Sequence, residues 1–179
     1  MHIENLFSTK ERVKILEKVI YRTSYLSVND VARKLKLSKG LVSKYFSILY
    51  KEDILRERKN KFFISNNYKV KAIKLLFNFY RFRPNFFNKF KFIKAAGLYG
   101  SYAKGENTEE SDIDLWIKID KVKDEELAKL SRQLNNKFRN LKILFLTDEK
   151  IENLNREDPL FYYSLTFGSI IIYGDKDAL

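Results

Sequence analysis

Apolar and polar positions follow two different periods along the chain. Before residue 83 the apolar residues mostly recur every three or four positions, the spacing that gives a helix one buried face. After residue 92 they form short apolar runs and a stretch of strict alternation, the pattern of strands. The chain therefore predicts an α+β protein, with helices concentrated in its first half and strands mixed with helices in its second.

Caps and turn residues divide the first half into elements. Ser8 to Glu11 forms a capping-box pattern, and Ser27 and Ser38 stand at the starts of two later helices. Lys59-Asn60 supplies a hairpin turn, since Asn tolerates left-handed backbone geometry, and Arg83-Pro84 ends a longer helix. The predicted elements are helices ending near Tyr21, Leu35, Tyr50 and Phe82 and strands over residues 54–58 and 61–64.

The second half alternates strand and helix patterns. An apolar run ends at Gly100-Ser101, and a second strand pattern begins near Asp112. The run from Leu141 to Thr147 is almost wholly apolar, which predicts a strand buried on both faces. Helices are predicted over residues 123–139, 148–154 and 159–166, and a last strand over residues 169–173.

The strand pattern from residue 112 to residue 119 separates charge from apolar bulk. Successive strand side chains point to opposite faces, so Asp112 and Asp114 share one face while Ile113 and Leu115 share the other. Two residues of strand rise place the Cα atoms of the two aspartates roughly 6.6 Å apart. Mg²⁺ prefers oxygen ligands, commonly one or two carboxylates together with substrate phosphates. The pair therefore predicts a magnesium site at the start of this strand.

The Gly100-Ser101 turn, just upstream, supplies a candidate phosphate site. Glycine lets the backbone turn sharply and approach a ligand closely. Ser101 is expected to cap a short helix from Tyr102, whose free N–H groups would favour an anion. Phosphate at this turn and metal at Asp112 and Asp114 predict nucleotide handling by two-metal chemistry.

Together these motifs resemble the nucleotidyltransferase superfamily that includes DNA polymerase beta, in its minimal form. The resemblance covers roughly residues 92–174 and implies a polymerase-beta-like fold, a small mixed β-sheet with helices. It implies transfer of a nucleoside monophosphate from ATP or another NTP, with Mg²⁺. Site residues implied by it are Asp112 and Asp114 as catalytic metal ligands and Gly100, Ser101, Lys104 and Ser111 at the nucleotide. The alternative is a surface loop without a ligand, in which glycine allows the backbone to turn and aspartate caps a helix.

The three short helices and hairpin resemble a winged helix-turn-helix, a domain that often binds duplex DNA. By that resemblance the helix from Ser38 to Tyr50 enters the major groove, and the hairpin contacts the DNA backbone or minor groove. The DNA-binding residues it implies are Lys39, Ser43 and Lys44 on the helix and Arg56, Arg58, Lys59 and Lys61 on the hairpin. Similar domains also serve as protein–protein modules, and that alternative stays open.

Charge is distributed unevenly between the halves. Residues 1–94 carry 23 Lys or Arg and 7 Asp or Glu, a net of +16, while residues 95–179 carry a net of −4. Nucleic acid is therefore the partner expected for the first half, although a solvated lysine-rich surface is the alternative. With no cysteine, one terminal histidine and no apolar run of membrane length, we expect a cytoplasmic protein without disulfides or membrane contact.

Between the halves, aromatic residues alternate with lysines. Phe86, Phe87, Phe90 and Phe92 are interleaved with lysines, a composition that can stack single-stranded bases. Packing between domains or in a homodimer is the interpretation we favour. The predicted domains are a winged helix-turn-helix over residues 1–66, a helical connector over residues 67–91 and a nucleotidyltransferase domain over residues 92–179.

Lys142 makes the catalytic expectation uncertain in one respect. Active members of the superfamily generally place a third carboxylate on the strand beside the acid pair, and the strand from Leu141 to Thr147 contains no acid. Lys142 aligns with that position, where it could pair with Asp112 or Asp114, so we expect weak or absent catalysis. The resemblance also implies an antitoxin that modifies a HEPN-type toxin partner. The alternatives are a non-catalytic transcriptional regulator with a degenerate nucleotide-binding domain and an RNA-handling transferase.

Overall fold

The structure, a computed structural model, describes residues 2–59, 61–82, 84–175 and 179. The chain divides into two compact units, residues 1–77 and residues 78–179, and each has its own hydrophobic core. The hairpin turn predicted at Lys59-Asn60 and the helix stop predicted at Arg83-Pro84 lie partly outside the described residues, at Asn60 and Arg83.

The N-terminal unit consists of short helices and one antiparallel hairpin. Its elements are α1 (Ile3–Phe7), α2 (Lys10–Val19), α3 (Val28–Leu35), α4 (Lys39–Lys51), β1 (Leu55–Arg58), β2 (Lys61–Ile64) and the beginning of α5 (Tyr68–Arg81). Ser27 and Ser38 accept hydrogen bonds from backbone N–H groups three residues later, so both predicted caps are confirmed. The capping box at Ser8 is wrong, because Thr9 is the cap of α2 and accepts from the Arg12 N–H. Helix α1 carried no sequence pattern long enough to predict it.

Apolar faces of these helices meet in one core. Val42, Phe46 and Leu49 of α4 are almost fully buried, as the helical spacing predicted. Tyr45 on the same face is also buried, and its hydroxyl donates a hydrogen bond of 2.9 Å to the Leu6 carbonyl of α1. Burial raises the pKa of Tyr45, because the phenolate would lose its hydration there. This polar contact ties α1 to α4.

The C-terminal unit is built on a four-stranded mixed sheet. Its elements after α5 are a 3₁₀ helix (Pro84–Lys89), β3 (Ile93–Tyr99), α6 (Gly100–Lys104), β4 (Ile113–Ile119), α7 (Asp124–Lys137), β5 (Leu141–Leu146), α8 (Asp148–Glu157), α9 (Pro159–Gly168) and β6 (Ile170–Gly174). The strand order is β5-β4-β3-β6; β3 runs antiparallel to β4 and β6, and β5 runs parallel to β4. The predicted α+β architecture with a small mixed sheet is confirmed.

Strand β4 is covered on both faces. Ile113, Leu115 and Ile117 lie in the larger core with helix α7, as the alternation predicted. Trp116, on the face of the aspartates, is also fully buried, and its indole N–H donates to Ser169 Oγ at 2.9 Å. This face of β4 is therefore closed at Trp116, while Asp112 and Asp114 at its beginning and Lys118 near its end stay partly exposed.

Two expectations need correction here. Strand β5 is at an edge of the sheet and most of its side chains are only half-buried, so the prediction of burial on both faces is wrong. Phe87 and Phe90 are buried in the core of the C-terminal unit, with the Phe87 ring 5.3 Å from that of Tyr173. These two rings are core residues of one unit, so neither base stacking nor packing between domains describes them.

No helix in the described part of the chain has the length and apolar character needed to cross a bilayer.

We predict that Gly97→Ala destabilises the C-terminal unit. A Cβ at this position of β3 would stand 2.5 Å from the Trp116 ring, which is buried and unable to move away. Overpacking of this kind costs about 1–3 kcal/mol in the free energy of unfolding, measured by chemical denaturation. Gly168→Ala is the matched control, because nothing lies within 4 Å of its Cβ position. Equal stability of the two variants would contradict the packing described here.

Candidate functional site

Sheet register brings the glycine turn and the acid pair together. Tyr99 of β3 pairs with Asp114 of β4, so Gly100, the first residue of α6, adjoins Asp114. Gly100 has a φ of +64°, and a Cβ on it would stand 2.6 Å from Asp114 Oδ2. Glycine is required twice over at this position, by the left-handed backbone and by the carboxylate that occupies the side-chain space.

Helix α6 follows the turn and is stopped by a second glycine. The N-cap position is Tyr99, and Ser101 lies inside the first turn, so the prediction that Ser101 caps this helix is wrong. Gly105 adopts a φ of 65°, and its N–H donates to the Ser101 carbonyl. The Glu106 N–H donates to the same carbonyl at 2.9 Å. Gly105 therefore ends α6 and starts the loop that leads to the aspartates.

That loop is held by hydrogen bonds at both of its ends. Ser111 Oγ accepts from the Thr108 N–H at 2.8 Å, so the hydroxyl predicted to meet nucleotide also closes a turn. At the other end Asn78 of α5 donates to the Tyr102 carbonyl at 2.8 Å and to Asn107 Oδ1 at 3.0 Å. Sequence reasoning missed Asn78 and Asn107, both almost fully buried, because residues 29 apart carry no local signal of pairing.

Lys142 lies beside the acid pair on the neighbouring strand. In the parallel register of β4 and β5, Lys142 is the partner of Asp114. Its Nζ is 2.6 Å from Asp112 Oδ2, while its side chain stays 66% exposed. The pairing of this lysine with an aspartate, expected from sequence, is therefore present in the structure.

Burial and neighbouring charges shift the pKa values of the side chains around the acid pair. Burial raises the pKa of Asp114, and the Asp112 carboxylate adds to the rise while Lys142 opposes it. Tyr99 has a raised pKa, because of burial first and the Asp114 charge second. The hydrogen bond to Asp112 raises the pKa of Lys142. Asp114 is therefore a half-buried carboxylate beside another, an arrangement that a bound cation would stabilise.

The carboxylates of Asp112 and Asp114 suit the binding of one Mg²⁺ ion better than the binding of two. Two carboxylates, with phosphate oxygens from a nucleotide, make a donor set typical of a single magnesium. Among residues 2–59, 61–82, 84–175 and 179, no cluster of three or more His, Cys, Asp or Glu side chains is placed to hold a metal. Lys142, the partner of Asp114 on β5, adds a positive charge to these donors rather than a third carboxylate. The residues present therefore fit one ion and not two.

The residues predicted to contact DNA lie in the N-terminal unit, on α4 and on the hairpin. All seven side chains are exposed: Lys39, Ser43, Lys44, Arg56, Arg58, Lys59 and Lys61. Two of them make local contacts. Arg56 Nε is 3.9 Å from Asp53 Oδ1, and the Lys61 ammonium lies 4.3 Å from the centre of the Tyr25 ring.

The family can now be stated. A family model described as polymerase beta, nucleotidyltransferase, matches residues 84–178, a little more than half of the chain. The chain belongs to this nucleotidyltransferase family. Its matched segment contains the glycine turn, the acid pair and every strand of the four-stranded sheet.

Comparison with individual proteins gives one sequence relative and some distant structures. A putative protein adenylyltransferase of Methanocaldococcus jannaschii, MJ1379, is 35% identical over 68 residues, which are 37% of this chain and 67% of that protein. A crystal structure of a toxin–antitoxin with AMP-PNP has a TM-score of 0.37 and 17% identity, covering 62% of this chain and 76% of that chain. A mutant of the toxin–antitoxin MntA-HpeT has a TM-score of 0.37 and 16% identity, covering 59% and 73%. Both TM-scores are too low to show a shared fold by themselves.

We predict that Asn78→Leu destabilises the loop between α6 and β4. The substitution removes the donor to the Tyr102 carbonyl and the partner of Asn107, and both of those groups are buried. A buried polar group left without its partner costs about 1–3 kcal/mol, which chemical denaturation would detect. Asn136→Leu on the exposed side of α7 is the control and should change stability by less than about 0.5 kcal/mol. Faster amide exchange of residues 105–111 only in Asn78→Leu would locate the effect in the loop.

Proposed function

We propose that the C-terminal unit binds a nucleoside triphosphate and transfers its nucleoside monophosphate to a protein. The observation that carries the proposal is the contact between the Gly100 turn and the Asp114 carboxylate. A half-buried glycine turn beside a pair of carboxylates suits a metal–nucleotide complex. Membership of the nucleotidyltransferase family supports the same reaction class.

Each residue of the face has a role in this proposal. Gly100, Ser101, Lys104 and Ser111 bind the triphosphate, and Asp112 and Asp114 bind Mg²⁺. When bound, the ion neutralises charge that develops on the phosphate oxygens. In the transfer, an acceptor hydroxyl oxygen forms a bond to the α-phosphorus, the bond to pyrophosphate breaks, and the hydroxyl proton passes to water.

A protein is the acceptor class that we propose. The support is the relative named a putative protein adenylyltransferase, which shares 35% identity over 68 residues with this chain. An adenylyl group is accordingly the nucleotide that we test first. A HEPN-type toxin is the specific acceptor that the family resemblance implied, and the proposal includes it as the candidate partner.

We predict that Asp112→Asn together with Asp114→Asn abolishes magnesium-dependent ATP binding and AMP transfer. The two side chains belong to neither apolar cluster of the C-terminal unit, so the double variant should keep its melting temperature. Calorimetry measures binding, and labelled ATP with the candidate toxin or a cell lysate measures transfer. Asp120→Asn, at the other end of β4, is the control and should behave like wild type. Unchanged ATP binding by the double variant would show that the site lies elsewhere.

We also propose that the N-terminal unit is a winged helix-turn-helix that binds duplex DNA. Support comes from the net charge of +11 over residues 1–77, which carry 18 Lys or Arg and 7 Asp or Glu, and from the exposure of every predicted contact residue. Helix α4 begins at a serine cap and carries Lys39, Ser43 and Lys44 on its exposed side. The functional division that we propose is a DNA-binding domain over residues 1–66, a connector over residues 67–91 and a transferase domain over residues 92–179.

Duplex binding should weaken steeply with salt. Each phosphate contact contributes about −0.9 to the slope of log affinity against log salt, so reversing the charges of Arg58, Lys59 and Lys61 should flatten the slope and weaken binding to every sequence. Substitution of Lys39, Ser43 or Lys44 should instead change sequence preference. Fluorescence anisotropy of the full chain with duplexes at several salt concentrations measures both. Absence of any duplex affinity at low salt would contradict the proposal.

One observation favours a second function, a regulator that binds nucleotide without transferring it. Lys142 pairs with Asp112 at 2.6 Å, on the strand where the superfamily generally carries its third carboxylate. Nucleotide binding and duplex binding without labelled product would establish this second function in place of transfer. Transfer that rises in Lys142→Asp would identify the lysine as the reason for a slow wild-type reaction.

A further inference from the structure

Lys142 differs from the other lysine–aspartate pairs of the C-terminal unit. Lys94 pairs with Asp120 at 2.8 Å and Lys118 pairs with Asp148 at 2.8 Å. The Lys142 pair differs because Asp112 belongs to the acid pair, whose other member, Asp114, lies opposite Lys142 in the parallel register of β4 and β5. Lys142 therefore forms an ion pair with one aspartate of the acid pair and lies beside the other.

The three side chains have a different charge from a three-carboxylate site. Two aspartates and a lysine give a formal charge of −1, whereas three carboxylates would give −3. Divalent cations bind such a face by Coulomb attraction, so the change of two charge units opposes a second ion much more than a first. A single ion can still use Asp112, Asp114 and phosphate oxygens.

We propose that the Lys142 ammonium takes the place of one metal ion, so that this site binds nucleoside triphosphate with a single divalent ion. The proposal rests on the nucleotide site proposed above and specifies its metal requirement. Because the Lys142 side chain is 66% exposed, its ammonium can exchange Asp112 for a phosphate oxygen with little loss of hydration. The parallel register places a permanent positive charge on the β5 side of the acid pair, where it would oppose the binding of a second ion.

Counting bound manganese tests the proposal without any transfer reaction. Mn²⁺ is titrated into the full chain with a non-hydrolysable ATP analogue, and the electron paramagnetic resonance signal of free Mn²⁺ gives the bound number. We expect one ion per protein–nucleotide complex for wild type and two for Lys142→Asp. Lys94→Met removes a lysine of similar exposure that pairs with Asp120, outside the acid pair, and should bind one ion. Two ions in wild type, or one ion in Lys142→Asp, would overturn the proposal.

Nucleotide affinity in the presence of a chelator gives a second measurement. The wild-type lysine should retain binding of a fluorescent ATP analogue in EDTA, and Lys142→Met should lose on the order of tenfold in that affinity, as expected for a charge-assisted contact to phosphate. Equal metal-free affinity of the two proteins would contradict the proposal. Circular dichroism melting confirms that the variants fold, which we expect because the lysine side chain is exposed.

The two proposals fail in different ways. A protein that binds ATP with one Mn²⁺ ion but modifies no acceptor would overturn monophosphate transfer and leave the role of Lys142 intact. A protein that transfers AMP and holds two ions would support monophosphate transfer and overturn the proposed role of Lys142.

Discussion

Burial of the Asp114 carboxylate beside a second carboxylate is the constraint on which the candidate site depends. Asp112 and Asp114 lie two residues apart, and Asp114 is half-buried with a raised pKa because of burial and its neighbour's charge. The folded chain holds the two carboxylates close together, although this environment disfavours the charged form of Asp114. The buried residues of β4, above all Trp116, supply the packing that fixes the strand. The acid pair is thus held in a state that a cation would stabilise.

Glycine makes the approach of the backbone to this pair possible. At Gly97 the missing Cβ gives space to the Trp116 ring, and at Gly100 it gives space to the Asp114 carboxylate. The two glycines, one in β3 and one in α6, therefore make room for two side chains on the same face of β4, Trp116 and Asp114. This explains why the turn and the strand belong to one motif although ten residues lie between Gly100 and Ser111. Neither glycine could be replaced without moving a side chain of β4.

Elements with a strong local pattern were predictable from sequence, and contacts between distant residues were not. The apolar spacing of α4 and the alternation of β4 gave their buried faces correctly, because burial of one face imposes the period. The cap of α2 was misplaced by one residue, since Ser8 and Thr9 both suit that position. The Asn78–Asn107 pair left no trace in sequence, because hydrogen bonds between loops and helices impose no period.

Lys142 could be singled out from sequence only because the superfamily resemblance predicts that its strand lies beside the strand of the acid pair. The parallel register places it opposite Asp114, and its ammonium reaches across to Asp112. An exposed lysine paired with one aspartate usually contributes little to stability. Here the same pair lies on the face where we propose that metal and nucleotide bind, so its consequence is for binding rather than for folding. The number of ions that this face holds is therefore set by one residue of an edge strand, and the acid pair and glycine turn leave that number open.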